Sequence, residues 1–579
     1  MVFCFNRWIE PMSLATVLKP VLVSSLVLGL GLSPISALAK PSKAPAPVLA
    51  AGAVAAPDAF GAAAAKQVLD KGGNAVDAAV ATAFALAVTY PSAGNLGGGG
   101  FMTVWMDGKP YFLDYRERAP AKASRDMYLD AKGQVIDGLS VVGPLSTATP
   151  GTVRGMAMAH KRFGKLSWKQ VLAPAIALAR DGFLVSERLQ QSRDESAADY
   201  TGKTNFGTYY APMTKGKVFR QPYLAVTLQR IADQGDKGFY EGKTADLIVA
   251  QMGRGPVKGV ITKTDLAGYK AVWREPIRAS WNGFDIVTAP PPSSGGIALT
   301  QLLTMKSDLA PAFEGVAHNS PQYIHLIAEI EKRVYADRAE YLGDPDFVKV
   351  PVAALIDPAY LARRAGEVKA LTPSVLASVQ PGIEKPQTTH FSIVDRWGNA
   401  VANTYTLNGS YGSGVVVEGG GFLLNDEMDD FSVKPGVPNI YGVVGGAANA
   451  IAPFKTPLSS MTPTIVLKDG KVAMVVGTPG GSRIFTWVFQ VMVNTYDFKM
   501  PLTDAVSVQR FHHQLLPENL IMAETFSPLS PPVVKALEAR GYRVDNTGWS
   551  GDIEAIQVMD GKPIAASDPR GWGVSITVP

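Results

Sequence analysis

The stretch from residue 388 to 407 constrains this chain more than any other, because it spells out a β-hairpin whose register can be worked out by hand. Polar and apolar residues alternate over 387–394, which puts Thr388, His390 and Ser392 on one face and Thr389, Phe391 and Ile393 on the other. Alternation of this kind predicts a strand with one buried face. Asp395-Arg396-Trp397-Gly398-Asn399 supplies turn residues, and strand chemistry resumes over 400–407. Symmetric pairing about Trp397 sets the hydroxyls of Thr388 and Thr406 face to face, with Asn408 two residues further along the same face. A slip of one residue would separate them.

Two facing threonines are in most sheets an ordinary cross-strand pair, and a second segment is what raises their interest. Residues 472–476 read as a buried strand, followed by Gly477-Thr478-Pro479-Gly480-Gly481-Ser482-Arg483 and an apolar helix from Ile484. Strand, glycine turn and helix N-terminus together aim backbone N–H groups at a negative group. A phosphate loop shares that geometry, but no Gly-Lys-Ser/Thr follows, which argues against a nucleotide site. The other use is an oxyanion hole for acyl transfer.

Elsewhere helical patterns at 61–69, 75–90, 170–180, 225–234 and 321–341 alternate with short strands at 101–105 and 111–113. From Thr388 onward the texture is richer in strands, at 389–394, 400–407, 464–467 and 472–476, with helices at 485–494 and 532–540. This predicts an α+β or α/β protein without internal repeats. The segment 373–386, with its three prolines, reads as an exposed loop, and 40–56 as a small-residue linker feeding the first strand. The uncharged stretch 78–106 is interrupted by Pro91, Gly94, Asn95 and glycines 97–100, so its helical half reads as a buried core helix rather than a membrane span.

At the N-terminus, Arg7 and Lys19 precede an apolar run ending near Leu32, and Ala37-Leu38-Ala39 fits a small-residue cleavage site. Residues 1–39 therefore read as a secretory signal peptide, an uncleaved anchor being the alternative. Cys4, the only cysteine, falls inside it, so the mature chain has neither a disulfide nor a thiol nucleophile. With 47% hydrophobic and 18% charged residues a disordered chain is excluded. A net charge of only +5 with no basic run gives no nucleic-acid surface. The six histidines show no metal-ligand spacing, and His512-His513 reads as a packed pair.

Several motifs in fixed order carry a resemblance to a known family. Thr388-Thr389-His390, Thr404-Tyr405-Thr406-Leu407-Asn408, Asn425-Asp426-Glu427-Met428-Asp429-Asp430-Phe431-Ser432, Pro457-Leu458-Ser459-Ser460-Met461 and Gly480-Gly481-Ser482-Arg483 are similar to the small subunit of γ-glutamyltransferases. Upstream, Asn95-Leu96-Gly97-Gly98-Gly99-Gly100-Phe101, Asp114-Tyr115-Arg116-Glu117, Thr149-Pro150-Gly151 and Pro291-Pro292-Ser293-Ser294-Gly295-Gly296 extend it, so that matches run from about Ala56 to Arg570.

The resemblance implies an N-terminal-nucleophile hydrolase fold of the α+β class, a four-layer αββα sandwich in which two stacked sheets lie between helices. It implies a precursor that cuts itself between Gln387 and Thr388 into a large subunit (40–387) and a small subunit (388–579). Thr388 matches the nucleophile, which is chemically sensible because the α-amine freed by cleavage, with a pKa near 8, serves as its base. His390 then has a structural role. Thr406 matches the group that hydrogen-bonds the nucleophile, and Gly480 and Gly481 match the oxyanion pair. Arg116, Ser459 and Ser460 match the clamp on the donor's α-carboxylate; Asn408, Glu427 and Asp430 match the holders of its α-ammonium. Residues 435–449 resemble a lid loop with Tyr441 as its pocket-facing aromatic. Two departures from the family pattern are Ala447, where an acidic residue is common, and the tail after Arg570, which is expected to lie away from the chemistry.

The sequence thus reads as a secreted, periplasmic γ-glutamyltransferase and glutathione hydrolase. It needs no cofactor or metal, and passes the γ-glutamyl group from glutathione and related donors to water or to amino-acid and peptide acceptors. Its partners are those small molecules and the two subunits of one precursor, with neither nucleic acid nor a membrane once the signal is removed. A glutaryl-type β-lactam side-chain acylase of the same family is the runner-up, and a non-catalytic periplasmic binding protein is the alternative from another class.

Overall fold

The computed structural model describes residues 49–375, 388–434, 436–437, 439 and 445–579. The signal sequence, Gln387 and Tyr441 lie outside the described residues, as does most of the 373–386 loop. Two antiparallel sheets organise the described chain. In chain order their strands are β1 (Gly52–Ala56), β2 (Gly99–Met106), β3 (Lys109–Asp114), β4 (Val272–Arg274), β5 (Ile277–Trp281), β6 (Phe284–Thr288), β7 (Thr389–Val394), β8 (Ala400–Thr406), β9 (Thr464–Lys468), β10 (Lys471–Gly477), β11 (Glu554–Met559), β12 (Lys562–Ser567) and β13 (Val574–Val578). The first sheet runs β13-β1-β7-β8-β2-β3-β4 and the second β12-β11-β10-β9-β6-β5.

Side-chain size decides how the sheets stack. On the inward face of the first sheet Ala53, Ala55, Ala400 and Ala402 meet Ile465, Leu467, Val475 and Ile556 of the second, small against large, which lets the layers approach closely. The opposite face of the first sheet, with Val54, Phe391, Ile393, Val401 and Tyr405, is covered by α1 (Ala59–Asp70), α2 (Ala75–Thr89) and α3 (Trp168–Asp181). The outer face of the second, with Ile286, Val466, Met474 and Val476, is covered by α4 (Gly295–Asp308), α5 (Pro321–Tyr341) and α6 (Ile484–Tyr496). This is the αββα sandwich the resemblance implied.

All of α2 is buried, as its uncharged, alanine-rich sequence predicts for a core helix. Its N-terminus is closed by Asn74, whose Oδ1 accepts from the N–H groups of Val76 and Asp77 at 3.0 Å, and by the turn of the β7–β8 hairpin, where Asp395 Oδ2 accepts from Ala75 N–H at 3.0 Å. One carboxylate therefore ties hairpin to helix. Among the described residues no helix is long and apolar enough to cross a membrane.

Two expectations need correction. β7 is buried on both faces, since a strand inside a four-layer sandwich has no solvent side. The last five residues of the predicted linker are β1, a central strand paired with β7 and β13. Their small side chains look like linker composition yet are what the narrow inter-sheet space requires. Beyond Arg570 the chain ends in β13, which completes the first sheet by pairing along β1.

Candidate active site

The hairpin register is the one the sequence predicts. Ala400 pairs with Val394 and Tyr405 with Thr389, and the same register carries on to Thr406 and Thr388, whose Oγ1 atoms lie 3.4 Å apart. The turn locks it: Asp395 Oδ1 accepts from Trp397 and Asn399 N–H at 2.9 and 3.0 Å, and Gly398 takes φ 81°, a left-handed conformation that favours glycine. On the other side Thr406 pairs with Gly99 of β2. A Cβ on the neighbouring Gly98 would sit 2.0 Å from the Thr406 carbonyl oxygen, so the glycine run lets the backbone come close behind the threonine. Thr406 Oγ1 also accepts from Asn408 N–H at 2.9 Å.

Thr388 opens onto a narrow cleft. Its wall includes the turn between β10 and α6. Gly480 and Gly481 there take φ 146° and 55°, and a Cβ on Gly480 would lie 2.1 Å from the Trp487 ring. Gly481 and Ser482 line the cleft together with Thr388 and Thr406, while Gly480 sits one residue behind.

Opposite stands a charged wall. Residues Glu427–Asp430 form a 3₁₀ turn, which brings side chains three apart to the same side, so Glu427 and Asp430 both ion-pair with Arg116 at the end of β3. Glu117 lies 3.6 Å from the same guanidinium. Burial works against the charge on Arg116, but Glu427, Asp430 and Glu117 outweigh it and hold its pKa above the usual range. Burial pushes Glu427 and Asp430 up and Glu117 to about 7, each opposed by Arg116. Three carboxylates share one guanidinium here, an excess of acid suited to a cationic group. Asn439 Nδ2 donates to Asp430 Oδ1 at 3.1 Å, and Asn408 Nδ2 to the Asp426 carbonyl at 3.0 Å.

The third side is serine-rich. Residues 291–296 dock on 457–461 through Ser459 N–H to Pro292 O (3.0 Å) and Ser294 N–H to Ser459 O (2.8 Å). A Cβ on Gly295 would clash with Thr462 Oγ1 at 2.1 Å, which accounts for the glycine after the serine pair. Arg338, from the last turn of α5, donates to Ser294 Oγ and Ser460 Oγ, both at 3.1 Å.

Of the residues singled out from sequence, Arg116, Thr388, Thr406, Asn408, Glu427, Asp430, Ser459, Ser460 and Gly481 line this one cleft. Within the cleft Arg116 touches Glu427 and Asp430, and the cation beside Ser294 and Ser460 is Arg338. Sequence reasoning assigns no role to Arg338, to Glu117, which stands in the Asp114–Glu117 motif, or to Asn439, which stands in the 435–449 segment. His390 is buried between the sheets, with Nδ1 2.7 Å from Thr404 Oγ1 and Nε2 3.1 Å from Ser392 Oγ, and burial drops its pKa to about 3. It is neutral and structural. His512 and His513 are buried and hydrogen-bonded to Gln514 and to the Leu520 carbonyl. Among the described residues no group of three or more His, Cys, Asp or Glu could hold a metal ion.

The family model described as Gamma-glutamyltranspeptidase matches residues 61–578. A glutathione hydrolase proenzyme of Pseudomonas aeruginosa is 60% identical over 563 residues, covering 97% of this chain and all of that protein. A solved γ-glutamyltranspeptidase from Pseudomonas nitroreducens, complexed with L-DON, is 59% identical with a TM-score of 0.56, covering 56% of this chain and 97% of that one. The acylase ACY 1 proenzyme of Pseudomonas sp. strain SE83 is more distant, at 35% identity over 520 residues and 88% of each chain.

Proposed function

The chain belongs to the γ-glutamyltranspeptidase family, and from that premise we propose that it is a self-processing glutathione hydrolase and γ-glutamyltransferase acting through Thr388. The observation that carries this is the Thr388–Thr406 hydroxyl pair at the head of a central strand, inside a cleft that also holds the Gly481 turn and the Arg116–Asp430 wall.

In the precursor, Thr388 Oγ1 attacks the carbonyl of Gln387, and the resulting ester is opened by water. This leaves subunits 40–387 and 388–579 and a free amine on Thr388. That amine, with a pKa near 8, takes the hydroxyl proton as Oγ1 attacks the donor's γ-carbonyl. Thr406 orients Oγ1, and N–H groups of Gly480 and Gly481 stabilise the oxyanion. Departure of the amine product leaves a γ-glutamyl ester on Thr388, which passes to water or to an amino-acid or peptide acceptor. Asn408, Glu427 and Asp430 receive the donor's ammonium, Arg116, Ser459 and Ser460 its carboxylate, and Tyr441 caps it. A glutaryl-type acylase has no ammonium to bind, so three carboxylates in the wall favour the amino-acid donor. Residues 1–39 direct the chain out of the cytoplasm and are cleaved off during export.

Mass spectrometry of the purified protein tests the central step. A fragment beginning at Thr388 and turnover of γ-L-glutamyl-p-nitroanilide are expected from wild type. Thr388→Ala should stay one inactive chain, and cleavage persisting in it, or an active uncut wild type, would sink the mechanism.

A further inference from the structure

We propose that Arg338 is a positioning residue for the donor's α-carboxylate: by holding the oxygens of Ser294 and Ser460, it fixes the Ser460 hydroxyl as a hydrogen-bond donor facing the cleft. The inference rests on the proposed γ-glutamyl donor. Arg338 is 7% exposed and lines the cleft that contains Thr388. Guanidinium has donors and no acceptor, so at both 3.1 Å contacts the serine oxygens must accept. Ser294 spends its own proton on the Ser459 carbonyl at 2.8 Å. The two serine oxygens are 3.5 Å apart, too long for a good hydroxyl–hydroxyl bond. The remaining direction for the Ser460 proton is the cleft.

The sign matters because a hydroxyl is a rotor that can show an anion either its proton or a lone pair. With Arg338 occupying the lone pair, Ser460 shows the proton, and the charge behind it strengthens the bond it makes to an anion. Arg116 is already shared between Glu427 and Asp430. Arg338 adds a second cation at the serine end, close enough that its charge opposes the rise that burial imposes on the pKa of Asp430.

The test compares kcat/KM for γ-L-glutamyl-p-nitroanilide with that for 4-aminobutyryl-p-nitroanilide, which lacks only the α-carboxylate. Arg338→Gln should lower the ratio roughly tenfold, the scale of one hydrogen bond to a charged group, mainly through KM. Arg338→Lys should recover part of it. In a Ser460→Ala background Arg338→Gln should change the ratio little, because both act on one hydrogen bond. Ser294→Ala, which removes no charge, should move the ratio the same way by less, and it carries the test if Arg338→Gln does not mature. Equal losses on both donors, or full additivity with Ser460→Ala, would show that Arg338 only supports the fold. A wild type inert toward γ-L-glutamyl-p-nitroanilide removes the functional reading and this inference with it, whereas an active wild type with an unmoved ratio in the variants removes this inference alone.

Discussion

Thr388 and Thr406 face each other at the open end of the β7–β8 hairpin, Oγ1 to Oγ1 at 3.4 Å, with Thr406 Oγ1 also accepting from the N–H of Asn408. The pair sits where the most buried strands of the first sheet meet the cleft, so its geometry is set by sheet register and not by a loop.

Thr406→Val keeps the branched shape and removes the hydroxyl. Activity should fall roughly 10- to 100-fold and self-cleavage should slow without stopping, since one supporting hydrogen bond is lost. Thr406→Ser should retain most of both. Time courses of the two fragments on a denaturing gel, beside donor turnover, measure this; a Thr406→Val variant with wild-type kinetics would leave Thr406 without a role.

Arg116 neutralises buried carboxylates besides facing the donor. Arg116→Met should lower folding stability by about 3–5 kcal/mol, because it strands charges that burial already penalises. Arg116→Lys should lose less stability yet still raise donor KM, since an ammonium cannot reproduce the fork that meets Glu427 and Asp430 together. Thermal unfolding and donor saturation curves separate the two effects.

Asp430→Asn should weaken γ-glutamyl donors by about 1.5–3 kcal/mol, while glutaryl-p-nitroanilide, which has no ammonium, is spared or gains. Equal loss on both would mean that Asp430 does not read the amine.

Glu117 gives a pH dependence with a definite sign. Burial raises its carboxyl from 4.5 to about 7. Folding therefore favours the protonated form, and the stability it brings is full below pH 4.5 and is lost as pH rises through about 7, a change on the order of 3 kcal/mol. Glu117→Gln should gain on wild type over that window in denaturant unfolding. Parallel curves for the two proteins would contradict the assignment.

Gly480→Ala should be worse for maturation than Gly481→Ala. A Cβ on Gly480 meets the Trp487 ring at 2.1 Å, in addition to the cost of its φ of 146°. At Gly481 the left-handed φ of 55° costs roughly 1–2 kcal/mol. The yield of cleaved, soluble protein ranks them.

What the sequence determined by itself is whatever local chemistry controls. Period-two alternation and the Asp395–Asn399 turn set the hairpin register, so the Thr388–Thr406 encounter was legible before any coordinates. Helix α5 begins and ends at the residues its pattern predicts, with Ser320 capping and Pro321 in the first turn. The buried helix α2 and the β10–glycine–α6 turn were legible for the same reason. Strands β5 and β6 are not legible in the sequence because their residues are short mixed runs that become strands only by pairing with each other and with β9. β1 looked like a linker because alanine is a poor strand former in isolation, and only the space between the sheets selects it. The site divides the same way. Motif order named most of the residues in the cleft, but which charge meets which depends on groups more than a hundred positions apart, such as Arg116 with Asp430 and Arg338 with Ser460. Electrostatic partners are chosen by distance and burial after the layers have closed, and no periodicity in the chain records that choice.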